Sequence, residues 1–186
     1  MLRMNERRLL DALDELAAIG AIDGGGCARL ALTDEDRAGR DLVVGWMKEL
    51  GLDVRVDAIG NVIGLRAGRE NSAPVMTGSH VDTVRTGGRY DGNYGVLAGL
   101  EVVRALNEAN VTTRRPIAVA FFTNEEGARF QPDMMGSLVY VGGIGLNEAY
   151  AAVDKDGAAV GDELRRIGYL GAAKPGAIRP HAFVEL

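Results

Sequence analysis

His80, Asp82 and Asp91 lie in one short glycine-rich stretch, Met76-Thr77-Gly78-Ser79-His80-Val81-Asp82-Thr83-Val84 running on through Gly87-Gly88-Arg89-Tyr90-Asp91-Gly92. Imidazole nitrogen and carboxylate oxygen are donors that zinc takes, and a catalytic zinc keeps one position for water. Asp82 follows His80 by two residues. In a strand-like segment those positions share a side, so the Asp82 carboxylate can hold the second N–H of the ring and orient it. Asp91 comes after a Gly87-Gly88 turn that lets the chain fold back, and its two oxygens could each serve one ion. Two ions about 3.5–4 Å apart that share a water make a strong nucleophile near neutral pH. A second segment, Phe121-Phe122-Thr123-Asn124-Glu125-Glu126-Gly127, supplies two more carboxylates. Adjacent side chains diverge, so one of Glu125 and Glu126 suits a metal and the other suits a general base. Spacing alone does not say which.

Composition narrows the classes. A chain of 186 residues has room for one domain with a sizeable core, burying about 65–70% of its surface. The formal charge of −5, with no Lys/Arg stripe interleaved with aromatics, speaks against a nucleic-acid partner. Cys27 is the only cysteine, which rules out a disulfide framework or a Cys-based zinc finger and fits a reducing cytoplasm. Residues 1–10 are charged and lead into a helical pattern without an apolar signal core. No apolar run approaches the roughly 18 residues of a membrane span. The expectation is a soluble, cytoplasmic protein without a membrane partner.

The elements that must position the site follow from periodicity. Leu9, Leu10, Leu13, Leu16 and Ala17 fall at helical spacing between Asn5 and Ile19, with Gly20 as a stop. The Gly-rich loop from Asp23 to Ala28 lacks the strand and helix that a phosphate loop needs. Thr33 caps a helix whose first turn is acidic and which turns Leu42, Val43, Trp46, Met47 and Leu50 inward. Residues 52–58 and 62–66 read as a hairpin around Ile59-Gly60-Asn61. Ala73 to Thr77 is a short strand that delivers the His80 stretch, and residues 95–106 form an apolar helix. Pro116 to Thr123 is apolar throughout, as a central strand covered on both faces would be. Short helices are expected at 146–153 and 162–167, and a strand at 181–186. Strand, helix, strand in this order predicts an α/β fold, a three-layer α/β/α arrangement on a mostly parallel mixed sheet. Chemistry in such sheets sits at the carboxyl ends of strands, where both motifs lie.

The motifs together resemble a known family. Gly78-Ser79-His80-Val81-Asp82-Thr83-Val84, Gly87-Gly88-Arg89-Tyr90-Asp91-Gly92, Gly95-Val96-Leu97-Ala98-Gly99-Leu100-Glu101 and Thr123-Asn124-Glu125-Glu126-Gly127-Ala128-Arg129-Phe130 resemble the N-carbamoyl-L-amino-acid hydrolases and allantoate amidohydrolases. These form a branch of the zinc-dependent aminoacylase and carboxypeptidase superfamily, with a zinc-exopeptidase-like fold. The Val56-Asp57-Ala58-Ile59-Gly60-Asn61 turn is similar to the same branch.

The resemblance implies a role for each residue. His80 would bind one metal, Asp91 would bridge both and Glu126 would bind the second. Glu125 would be the general base, and Asp82 would orient His80. Two divalent ions are implied, zinc first, with manganese, cobalt or nickel as substitutes. The substrate would be a small carbamoyl or ureido compound such as an N-carbamoyl amino acid or allantoate, and full-length relatives are homodimers. The resemblance also implies that residues 1–186 are the N-terminal part of a catalytic domain, C-terminally truncated, without the lid and dimerisation domain and without one further histidine for each metal. His181 is the one other histidine, and it lies in the strand before the first expected ligand. Two protein ligands per metal fall below the three of a catalytic zinc, so weak metal binding and little activity are expected of this chain by itself. Alternative readings are a dipeptidase or aminoacylase of the same superfamily, or a non-catalytic remnant that serves as a binding module.

Overall fold

The computed structural model describes residues 2–186. In chain order it holds α1 (Glu6–Ala18), a small hairpin of β1 (Ala21–Ile22) and β2 (Gly26–Cys27), α2 (Asp34–Glu49), β3 (Asp53–Val56), β4 (Val62–Arg66), β5 (Val75–His80), α3 (Asn93–Glu108), β6 (Ile117–Phe122), α4 (Met135–Val141), α5 (Leu146–Ala151), α6 (Val160–Arg166) and β7 (Ala182–Glu185). Five strands make one open sheet in the order β3-β4-β6-β5-β7. The apolar run from Ile117 is its middle strand, antiparallel to β4 and parallel to β5, while β5 is parallel to β7. The expected α/β architecture on a mixed sheet is therefore present, with parallel pairings on the side that carries the motifs.

Alternation along β6 divides the core. Val119 and Phe121 join the large cluster formed with α1, α2 and α3. Ala118, Ala120 and Phe122 face the other way, against Ile63, Met76, Tyr140 of α4 and Ile178. Helix α3 crosses close over the sheet because Gly99 has no side chain; a Cβ there would stand 2.7 Å from Thr77 Cγ2. Parallel register sets Ser79 opposite Phe121 and His80 opposite Phe122, so the two chemistry-bearing turns leave the same edge of the sheet side by side.

Three sequence expectations need amendment. Leu10 is exposed at 41%, outside the buried stripe of α1. The Gly-rich loop forms the β1–β2 hairpin. The inward face of α2 carries, besides Val43 and Met47, a fully buried ion pair of Asp36 with Arg40 at 2.7 Å. The Arg40 guanidinium donates to the Gly60 carbonyl and to Thr123 Oγ1 and lies over the rings of Phe121 and Tyr169. It thus ties the β3–β4 turn to the end of β6.

A second tie runs through Asp57 and Asn61. The Asp57 carboxylate accepts the N–H groups of Ile59 and Asn61 and the Asn61 side-chain amide, and Asn61 Oδ1 accepts the Thr123 N–H at 3.0 Å. Burial pushes the Asp57 carboxyl up to about 6. The folded chain therefore holds this proton more tightly than the unfolded chain, where aspartate titrates near about 3.9. The contribution is full below pH ~4 and fades as pH rises through ~6, a decline of about 3 kcal/mol at most. Asp57→Asn is expected to remove its own share of the slope in urea midpoints measured across pH 4 to 7, leaving a comparable share due to the buried Asp82, whose carboxyl is raised to the same value. An unchanged slope would contradict the assignment.

Candidate metal centre

The ring of His80 sits 4% exposed at the last position of β5. Its Nδ1 lies 2.9 Å from the main-chain carbonyl of Asp82. A carbonyl can only accept, so Nδ1 carries the proton and Nε2 faces outward. Nε2 stands 3.2 Å from Glu125 Oε2 and 3.9 Å from Asp91 Oδ1. Gly92, with φ +64°, packs against the ring so closely that any Cβ would overlap it.

Asp82 departs from the expected contact. The ring N–H goes to its carbonyl, and its carboxylate instead accepts the N–H groups of Glu125 at 3.2 Å and Glu126 at 3.3 Å. The reason is local: β5 ends at His80, and two positions share a side only while the chain stays extended. Asp82 still orients the ring, through its main chain, and its side chain positions the next strand's turn.

That turn is built from unusual backbone. Asn124 takes φ +51° and Gly127 φ +62°. The Asn124 side-chain amide donates to the carbonyls of Phe130 and Pro132, which offsets the cost of a left-handed residue. Glu125 consequently turns toward His80, with its side chain 29% exposed, whereas the Asp91 side chain is 76% exposed. The charge of Glu126 bears on both His80 and Glu125.

The electrostatics fit a cation between these groups. Burial opposes the imidazolium of His80, but Asp82, Glu125 and Glu126 together lift it above its ordinary value. Burial raises the Glu125 carboxyl, His80 lowers it, and Glu126, Glu185 and Asp91 raise it further. Burial and the neighbouring Asp36 raise Asp82, against His80 and Arg40. Glu185, which pattern reading left unassigned, comes from β7 and accepts a hydrogen bond from Ser79 Oγ at 2.8 Å. With Glu125 it lines a cavity of about 480 Å³ walled by Phe122, Tyr140, Arg179 and Phe183. His181 stays away from the site: its N–H donates to Pro74 at the opposite end of β5.

In kind, these donors fit a divalent ion, with a neutral imidazole nitrogen held by its other N–H and carboxylates across from it. In number they fall short. Among the described residues no group of three or more His, Cys, Asp or Glu side chains is gathered at ligating distance.

A family model for peptidase family M28 matches residues 61–178, the segment that holds β4, β5, β6 and every site residue except Glu185. The chain belongs to peptidase family M28. This M28 family is of metallopeptidase type, which implies use of a divalent metal. The N-carbamoyl-L-amino-acid amidohydrolase of Rhizobium meliloti is 48% identical over 184 residues, covering 98% of this chain and 44% of the relative. The ureidoglycolate hydrolase of Arabidopsis thaliana is 35% identical over 150 residues, covering 80% of this chain and 32% of the relative. The crystal structure of a hydantoinase/carbamoylase-family amidase from Burkholderia multivorans superposes with a TM-score of 0.96 at 51% identity, covering 98% of this chain and 44% of that one. The M28 chain thus spans less than half the length of these relatives. Among its described residues no helix is long and apolar enough to cross a membrane.

Proposed function

We propose that this chain is the N-terminal part of the catalytic domain of a metal-dependent amidohydrolase that cleaves the linear C–N bonds of N-carbamoyl amino acids or related ureido compounds such as allantoate. The observation that carries the reading is the His80 ring, locked by Nδ1 on a carbonyl with Nε2 directed between Glu125 and Asp91. In this reading His80 and Asp91 would hold one ion and Asp91 and Glu126 a second, with zinc the first candidate for both. Bound there, the ions would supply Lewis acidity toward the substrate carbonyl and toward water. Glu125 is the general base: it takes the proton of the attacking water and passes it to the leaving nitrogen. Asp82 holds the Glu125 and Glu126 amides, and the cavity beside Glu125 admits a small molecule. A reducing cytoplasm suits the single, buried Cys27.

The number of ligands limits what the isolated chain does. With two protein donors per ion it is expected to bind zinc weakly and to release little ammonia from N-carbamoyl amino acids. Calorimetric titration with zinc and an ammonia assay test this, and turnover near that of full-length relatives would refute it. The function itself is tested by a chimera in which this chain replaces the matched 184 residues of the Rhizobium meliloti relative. It is expected to hydrolyse N-carbamoyl amino acids. A folded, zinc-loaded chimera that cleaves dipeptides and leaves ureido compounds intact would transfer the reading to a dipeptidase.

A further inference from the structure

Outside the carboxylates and imidazole, the most unusual group near the site is Arg29. Its side chain is fully buried, yet among the described residues no carboxylate lies within hydrogen-bonding distance of its guanidinium. It donates instead from Nε to the Val81 carbonyl at 2.7 Å, from one terminal nitrogen to the Leu16 and Ile19 carbonyls and Cys27 Sγ, and from the other to Asn93 Oδ1 at 3.0 Å. Its main chain exchanges two further bonds with Thr83: the Arg29 N–H goes to Thr83 Oγ1 and the Thr83 N–H to the Arg29 carbonyl.

These partners are not scattered. Val81 and Thr83 flank Asp82 and follow His80 directly. Asn93 is two residues past Asp91, and its N–H donates to the Asp91 carbonyl at 2.6 Å. One planar, always-charged fork therefore grips both segments that bring His80 and Asp91 to the same space. Burying a cation among neutral acceptors is costly, and burial lowers the proton affinity of Arg29 while the charges of Cys27, Asp36 and Asp82 support it. A core residue chosen for stability alone would be apolar here. A lysine would supply a point charge without the fork that spans Val81 and Asn93.

We propose that Arg29, acting through Asn93, is the positioning residue that sets the spacing of His80 and Asp91 and thereby the affinity of the centre for a divalent ion. This rests on the metal-centre reading above. The metal-free test uses ring-labelled histidine, because the chain has two histidines, His80 and His181, and the second serves as an internal control. Asn93→Ala and Arg29→Lys are expected to shift and broaden the His80 imidazole signals and to leave those of His181 in place. Val160→Ala, a cavity variant in the remote α6 core, is expected to lower thermal stability and move neither set. In zinc titrations Asn93→Ala is expected to weaken binding about 10–100-fold, as loss of a group supporting a ligand does, with Val160→Ala unchanged. If Arg29→Lys fails to fold, Asn93→Ala decides. A wild-type His80 signal and wild-type zinc affinity in Asn93→Ala would overturn the proposal. If the wild-type chain binds no zinc, the metal reading fails instead, and the His80 signal alone decides: changed in Asn93→Ala it supports the clamp, unchanged it removes it.

Discussion

Glu125→Gln is expected to lower ureido hydrolysis by the chimera by about 10²–10⁴-fold, the contribution of a positioned general base, while zinc binding is retained. Glutamine keeps the length and planarity of the side chain, and the main-chain N–H of residue 125 still reaches the Asp82 carboxylate. What it loses is the capacity to take a proton. Burial raises the Glu125 carboxyl against the pull of His80, with Glu126, Glu185 and Asp91 adding to the rise, a direction that suits the proposed proton transfer. The checks are steady-state ammonia release and zinc calorimetry on the same preparations. Retention of more than about a tenth of the activity would remove Glu125 from the role.

Arg40→Met carries the largest expected loss of stability. It would leave Asp36, itself fully buried, without the cation at 2.7 Å. Among the described residues one Asp36 oxygen already has no hydrogen-bond partner, and the other would keep only the Leu32 N–H. An uncompensated buried carboxylate costs about 3–5 kcal/mol, against a total stability of about 5–15 kcal/mol. For a chain of this size that corresponds to a fall of about 10 °C in melting temperature. The double variant Asp36→Leu/Arg40→Met removes both charges and is expected to regain most of the loss. Thermal melts of the two proteins decide it. A single variant within about 1 kcal/mol of wild type would mean that the pair is not the uncompensated charge argued above.

Much of this fold is written in short-range pattern. The helices at residues 6–18 and 34–49 follow from apolar spacing and from caps that the structure contains, with Asn5 accepting the Arg8 N–H and Thr33 the Asp36 N–H. The run Pro116 to Thr123 reads as central because no polar residue interrupts its apolar core, and it is the middle strand. Helix α4 was not legible: it opens at Met134 in a left-handed conformation, without a side-chain cap, so neither a cap nor a long periodic stripe announces it. Arg29, Asp36 and Arg40 were invisible for another reason. Pattern reading assigns charged side chains to solvent, and only three-dimensional closure shows that their partners are buried carbonyls and one another. The Asp82 contact depends on β5 ending one residue after Ser79, a boundary that periodicity does not resolve. Glu185 meets Ser79 across the sheet, and parallel register between distant strands has no local signature.

The hydrogen bonds of Asp82 have a mechanical consequence. One carboxylate bridges the turn after β5 to the turn after β6, holding two successive N–H groups. Slippage of one strand along the other would break both of these bonds as well as the β5–β6 ladder, so the segments bearing His80, Glu125 and Glu126 are tied to each other twice. Across from it, the Asp91 main chain is anchored through Asn93, while its side chain stands largely in solvent. The centre is thus a fixed jaw facing a movable tooth. If the centre holds metal as proposed, accommodation of ions of different radius would fall to rotation of the Asp91 side chain, while the Asp82 carboxylate keeps the Glu125 and Glu126 main chain in place.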